Sequence, residues 1–138
     1  MQQQLLINTR PQDAYRRQDI LTANSVDLIV MMYDALKKNI VLGKRGIMKN
    51  EPQTAHKHLI KAQDIVSELM KSLDMNYEVS DELLKLYSYA LDNLAEANIK
   101  KVTEPLEPVL DIVNDLRDAW SQVSAQMRGN TYRQQELA

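Results

Sequence analysis

The chain has 138 residues, with 17 Lys and Arg against 19 Asp and Glu, and it contains no cysteine. This length favours one domain with a buried core, and the absence of cysteine excludes disulfides, thiolate metal sites and cysteine nucleophiles. A net charge of −2 with one Trp and no Phe argues against nucleic-acid binding, which uses a basic surface or aromatic platforms. No apolar run is long enough to cross a membrane and the first residues lack a signal-peptide pattern, so we expect a cytoplasmic protein.

Four segments with helical apolar periodicity follow a lead-in of 23 residues. They predict helices over about 24–47, 52–73, 80–101 and 105–128. Short connections between helices of this length predict an all-α fold, an antiparallel four-helix bundle with an N-terminal lead-in or cap segment. We therefore divide the chain into a lead-in that could form a lid, 1–23, a bundle, 24–128, and a disordered tail, 129–138.

The helix ends are assigned from residues that favour capping or interruption. Asn24 and Ser80 are expected to cap the first and third helices, because their side chains can accept hydrogen bonds from free backbone N–H groups. Gly43 and Gly46 are expected to loosen the end of the first helix. Gly129 is expected to end the fourth.

The second and fourth helices each carry one apolar stripe of the width that burial in a bundle requires. In the second helix the stripe consists of Leu59, Ala62, Val66, Leu69 and Leu73, flanked by Ile65 and Met70. In the fourth it consists of Val109, Val113, Leu116, Trp120, Val123 and Met127. This position predicts that Trp120 belongs to the core.

The first and third helices each carry two adjoining apolar stripes, which together cover about half the helix circumference. The inner stripes are Ile29, Met32, Tyr33, Leu36, Ile40 and Ile47 in the first helix, and Leu83, Leu86, Tyr87, Ala90, Leu94 and Ala97 in the third. The outer stripes are Leu28, Met31, Ala35 and Leu42 in the first helix, and Leu84, Leu91 and Ala95 in the third.

Two interpretations of the outer stripes stay open at this point. These helices could be central and contact several neighbours, or the outer stripes could form a groove for a helix of another chain. The lead-in carries apolar residues that the bundle pattern does not use, Leu5, Leu6, Ile7 and Tyr15. These residues are candidates for a lid over such a groove.

No motif in the sequence predicts a metal site, a cofactor site or catalysis. A di-iron bundle would need Glu-x-x-His on a helix, which is absent. His56 and His58 are two residues apart, so they lie on different helical faces and are not expected to hold one ion. We therefore expect a protein that is not an enzyme and has no metal, cofactor or small-molecule substrate.

Residues 58–63, HLIKAQ, resemble the acceptor segment of histidine phosphotransfer domains. Those domains are four-helix bundles in which an exposed histidine takes a phosphoryl group and a lysine three residues later stabilises charge. The resemblance implies an alternative function with His58 as acceptor and Lys61 as its lysine. A simpler interpretation places His58 at the edge of the apolar stripe of the second helix.

A second resemblance covers about residues 10–123 and is carried by four segments in order. Tyr15 with 22–28, TANSVDL, and 31–34, MMYD, is similar to a Tyr followed by T-A-(S/T)-P-x-(E/D)-L and L-M-L-Y-(N/D). The other three matches are 61–69, KAQDIVSEL, with K-A-Q-x-I-I-x-E-L; 86–100, which ends in EANIK, with a third helix ending in E-A-N-x-K; and 116–120, LRDAW, with L-R-x-A-W. These are the motifs of the FliS-type flagellar secretion chaperones, which the chain resembles.

Two positions depart from the family pattern. The family often has N-P-Y-x-x-Y near its start, whereas this chain has RPQDAY over 10–15, with Gln12 where the first tyrosine would be. Ser25 stands where the family has a proline, at a position that proline favours but does not require.

The resemblance implies a cytosolic bacterial chaperone with a four-helix bundle. Its apolar grooves would take the C-terminal segment of flagellin, prevent premature polymerisation and keep flagellin competent for type III flagellar secretion, with the export gate as a further partner. Under this interpretation the outer stripes contact flagellin, and the lead-in covers part of that surface when no client is bound.

Overall fold

The computed structural model describes the backbone of residues 24–137 and the side chains of residues 26–129, and it contains four helices. We name them α1 (Asn24–Met48), α2 (Pro52–Lys71), α3 (Glu78–Lys100) and α4 (Leu106–Leu137). The described residues contain no strand, so the all-α prediction is confirmed. The described residues fall into two compact units: one is Met32–Leu116, and the other consists of residues 24–31 and 117–137.

The core of the unit Met32–Leu116 receives side chains from all four helices, as expected of a helical bundle. The fully buried large side chains are Tyr33, Leu36, Ile40, Leu59, Leu69, Leu94, Leu106, Val66 and Val109. On α1 and α3 these residues come from the inner stripes, and on α2 and α4 they come mainly from the single apolar stripes. The periodicity of the sequence therefore identifies the face of each helix that is buried here.

α1 and α2 are antiparallel and approach each other closely where α1 has glycine. A Cβ atom at Gly43 would lie 2.6 Å from Leu59 Cδ2, and one at Gly46 would lie 2.7 Å from the backbone N of Ala55. Neither glycine has a positive φ. The prediction that these glycines loosen the end of α1 is wrong: α1 continues to Met48, and its glycines make room for α2.

α1 and α3 are both followed by a residue in the left-handed conformation that is not glycine. Asn50 has φ 57° and Lys101 has φ 54°. After α1, Glu51 N–H donates to Gly46 O (2.8 Å) and Asn50 N–H donates to Ile47 O (3.1 Å), which is the Schellman arrangement. Asn50 therefore closes α1 and does not cap α2.

The start of α3 differs from the capping prediction. α3 begins at Glu78, and Tyr77 at the cap position forms no side-chain cap hydrogen bond. Ser80 is buried inside the first turn, and its hydroxyl donates to Asp74 O at 2.6 Å. Ser80 thus fixes the preceding loop and does not cap the helix.

α4 continues past the expected stop and its buried face shifts along its length. Gly129 lies within the helix, which ends at Leu137, because one exposed glycine costs a helix only about 1 kcal/mol. Trp120 is only half-buried and Val123 is 38% exposed, whereas Ser124 is 3% exposed. Trp120, which the sequence predicts to belong to the core, therefore lies at the edge of the buried face, whereas the polar Ser124 lies within that face.

Candidate functional site

The outer stripes are accessible in the structure. Met31 is 64% exposed and Ala35 is also exposed. The remaining members of the outer stripes are all half-buried: Leu28, Leu42, Leu84, Leu91 and Ala95. An apolar helical surface that stays accessible can bind a helix of another chain, and contact of these residues with another chain stays a prediction.

The lid prediction concerns Leu5, Leu6, Ile7 and Tyr15, which lie outside the described residues. The structure does add exposed apolar residues that the sequence interpretation missed. Met75, Tyr77 and Val79 are all at least half exposed in the α2–α3 connection and at the start of α3, and Ile99 near the end of α3 is 81% exposed. The alternation of apolar residues at 75, 77 and 79 between two helices was the signal that could have identified the first three.

A buried tyrosine pair joins α1 to α3. The hydroxyl groups of Tyr33 and Tyr87 form a short hydrogen bond, and the two residues are 0% and 5% exposed. Burial raises the pKa of Tyr87, while the hydrogen bond with Tyr33 acts in the opposite direction. Tyr87 therefore stays neutral at physiological pH, and the pair holds the inner stripes of the two helices together.

A polar cluster in the other unit joins the start of α1 to α4. Ser124 donates a hydrogen bond to Asp27 Oδ1, and Arg128 Nη1 lies 2.6 Å from the same oxygen and 2.6 Å from Ser124 Oγ. The hydrogen bond from Ser124 lowers the pKa of Asp27; burial opposes this shift, and Arg128 adds a smaller lowering. Asp27 thus stays ionised and positions the buried Ser124 hydroxyl.

The histidines of α2 contact polar side chains of different helices. His58 Nδ1 lies 3.0 Å from Asn39 Oδ1 of α1, and His56 Nδ1 lies 2.9 Å from Asn98 Nδ2 of α3. Asn98 Oδ1 also accepts a hydrogen bond from Lys101 Nζ at 2.8 Å. The two histidines therefore bind to different neighbours, and no group of three or more potential metal ligands occurs among the described residues.

Known proteins that are similar in sequence to this chain belong to one family. The family model described as flagellar protein FliS matches residues 8–127. The chain belongs to the FliS family. The flagellar secretion chaperone FliS of Bacillus subtilis (strain 168) is 37% identical over 112 residues, covering 81% of this chain and 84% of that protein.

More distant relatives in the family cover similar shares of the chain. The flagellar secretion chaperone FliS of Salmonella typhimurium is 25% identical over 108 residues, covering 76% of this chain and 80% of that protein. The protein of that name in Escherichia coli (strain K12) is 27% identical over 106 residues, covering 75% and 78%. The resemblance inferred from the four sequence segments is thereby confirmed.

Residues in the segments that carry the family resemblance form several defined contacts. Asp27 binds Ser124 and Arg128, Tyr33 pairs with Tyr87, and Asn98 links His56 to Lys101. These contacts join side chains within the chain, so they stabilise the arrangement of the helices. Within the described part of the chain, no helix combines the length and apolarity required to cross a membrane.

Proposed function

We propose that this protein is a flagellar export chaperone that binds the C-terminal segment of flagellin in the bacterial cytosol. The observation that carries the proposal is the family match over residues 8–127, together with relatives named flagellar secretion chaperone. The chaperone would prevent premature polymerisation of flagellin and keep it competent for type III flagellar secretion, with the export gate as a further partner. This function needs no catalysis or cofactor.

The accessible outer stripes support a mechanism based on apolar burial. A flagellin segment that forms amphipathic helices on binding would place its apolar face against Met31, Ala35 and Leu42 of α1 and Leu84 and Leu91 of α3. The same apolar faces of flagellin would then be unavailable for assembly with other flagellin molecules. Because ordering a flexible segment costs free energy, such binding needs a long contact surface.

The test is titration calorimetry of the full chain with a C-terminal fragment of the cognate flagellin. We expect one-to-one binding at micromolar concentration or tighter, with a negative heat-capacity change that reflects apolar burial. Two exposed methionines of α1 provide a matched pair of variants, because Met31 is 64% and Met48 is 68% exposed. Only Met31 belongs to an outer stripe.

Met31→Gln should weaken binding about tenfold or more, since full burial of a Met side chain contributes roughly 1.5–3 kcal/mol. Met48→Gln should leave the affinity unchanged. Equal effects of the two variants would show that the contact surface is wrongly assigned while the function stands. No binding of the wild-type chain to the fragment would refute the function itself.

The lid is proposed as the regulator of this surface. Leu5, Leu6, Ile7 and Tyr15 would cover part of the client surface in the free protein and leave it when flagellin binds. A competing lid reduces the apparent affinity by the fraction of molecules that are open. Deletion of residues 1–15 should therefore leave the bundle folded and tighten binding or leave it unchanged, whereas a folded truncation that binds much more weakly would show direct contact with the client.

A further inference from the structure

The two histidines of α2 have opposite hydrogen-bond roles. Asn39 Oδ1 is an acceptor, so His58 Nδ1, 3.0 Å away, must carry the ring proton and His58 Nε2 holds a lone pair. Asn98 Nδ2 is a donor, so His56 Nδ1, 2.9 Å away, accepts and the ring proton of His56 is on Nε2. The nucleophilic nitrogen is thus Nε2 in His58, whereas in His56 it is Nδ1, which is already used by Asn98.

The buried side chain of Asn39 fixes the orientation of the His58 ring. Asn39 is 8% exposed, and its Nδ2 donates to Ala35 O at 2.9 Å. This bond sets the amide so that its oxygen faces His58. His58 itself is half-buried, and no described residue forms a hydrogen bond with its Nε2. The hydrogen bond with Asn39 therefore favours one tautomer of the His58 ring, in which the Nε2 lone pair is not used by a described residue.

The charges that shift the pKa of His58 are all positive. Burial lowers the pKa of His58, and Lys57, Lys61 and Lys38 lower it further. All three lysines are exposed to solvent. The ring is consequently neutral at pH 7, beside ammonium groups from α1 and α2 that can bind phosphoryl oxygens.

We propose that His58 is a phosphoryl-acceptor site, a property that goes beyond the proposed chaperone function and does not depend on it. In the transfer from a small phosphodonor such as phosphoramidate, the Nε2 lone pair forms a bond to phosphorus. The phosphorus–nitrogen bond of the donor breaks, and ammonia leaves with its electron pair. The ring retains the Nδ1 proton, which Asn39 holds, and the lysines bind the phosphoryl oxygens.

The experiment incubates the full chain with phosphoramidate at neutral pH and locates the modification by intact and tandem mass spectrometry. We expect one acid-labile phosphoryl group at His58 and none at His56. His58→Gln should abolish uptake and His56→Gln should leave it unchanged. In the urea-unfolded chain the two histidines should react at similar rates, which shows that the preference comes from the fold.

Two further variants test the roles of the neighbouring residues. Lys61→Gln should slow the transfer about two- to fivefold, as expected for removal of one exposed charge. Asn39→Ala should slow it because the ring tautomer is no longer fixed, and circular dichroism will show whether this variant is folded. Uptake at both histidines, uptake at His56 alone, or no uptake by the folded chain when the unfolded chain reacts would each refute the proposal.

Discussion

The close approach of α1 and α2 at Gly46 allows the effect of Gly46→Ala on the free energy of unfolding to be predicted. In Gly46→Ala the new Cβ would lie 2.7 Å from Ala55 N and 2.9 Å from Ala55 Cα. Both atoms belong to the backbone of α2, so no side-chain rotation can relieve the overlap. The two helices must move apart by more than half an ångström to restore ordinary contact.

Two opposing terms determine the size of the effect. Overpacking of this kind costs about 1–3 kcal/mol, whereas alanine is favoured over glycine in a helix by about 1 kcal/mol. We therefore expect Gly46→Ala to lower the free energy of unfolding by about 1 kcal/mol. Gly129 provides the matched control, because it also lies in a helix and a Cβ atom added there would meet no other atom within 4 Å.

The assay is urea unfolding followed by circular dichroism, with both variants compared with the wild-type chain. Gly129→Ala should keep or raise the free energy of unfolding by up to about 1 kcal/mol, so the two variants should differ by roughly 2 kcal/mol. If Gly46→Ala were as stable as Gly129→Ala, the inferred contact between the backbones of α1 and α2 would be refuted.

Three further predictions concern the buried tyrosines and the end of α1. Tyr33→Phe should lower the free energy of unfolding in urea by about 1–3 kcal/mol, because it leaves the Tyr87 hydroxyl buried without its partner. Adding Tyr87→Phe should recover part of this loss, and a larger loss in the double variant would contradict the reasoning. Since burial raises the pKa of Tyr87, its contribution to stability is complete below about pH 10, the ordinary tyrosine value, and is lost as the pH rises through the folded-state pKa. An absorbance titration should therefore show that tyrosinate formation at Tyr87 lags behind that of a free tyrosine, and in Tyr87→Phe the delayed component should be smaller. Asn50→Gly should raise the unfolding free energy by up to about 1 kcal/mol by removing left-handed strain, whereas Asn50→Val should lower it.

Apolar periodicity alone predicted the fold class and most of the core. Leu59, Ala62, Val66 and Leu69 are all buried, as their spacing on α2 requires. Periodicity identifies the buried residues because apolar residues at helical spacing lie on one face of the helix, and burial of that face removes them from water. The outer stripes were likewise visible in the sequence, and their exposure is consistent with a surface role, although flagellin contact itself stays a prediction.

Residues whose role depends on contact with one particular partner in the folded chain were not predictable. A glycine near the end of a helical segment is typical of a helix terminus, and Gly46 stands in such a place. Only the position of Ala55 shows that Gly46 is a point of close contact between two helices. Ser80 is a preferred capping residue, but its hydroxyl binds Asp74 O. Ser124 is polar and yet buried because Asp27, almost a hundred positions earlier, accepts its hydrogen bond. Local pattern cannot supply these pairings.

The exposed methionines of α1 have a chemical consequence. Oxidation converts the apolar thioether into a polar sulfoxide, and accessible side chains react first. Met31 and Met48 are similarly exposed, so dilute peroxide should oxidise both in the free protein. A bound client at the proposed contact would shield Met31 and leave Met48 as an internal reference, so the ratio of the two sulfoxides would report occupancy. A preparation aged in air would lose affinity for its client while its helix content stayed constant.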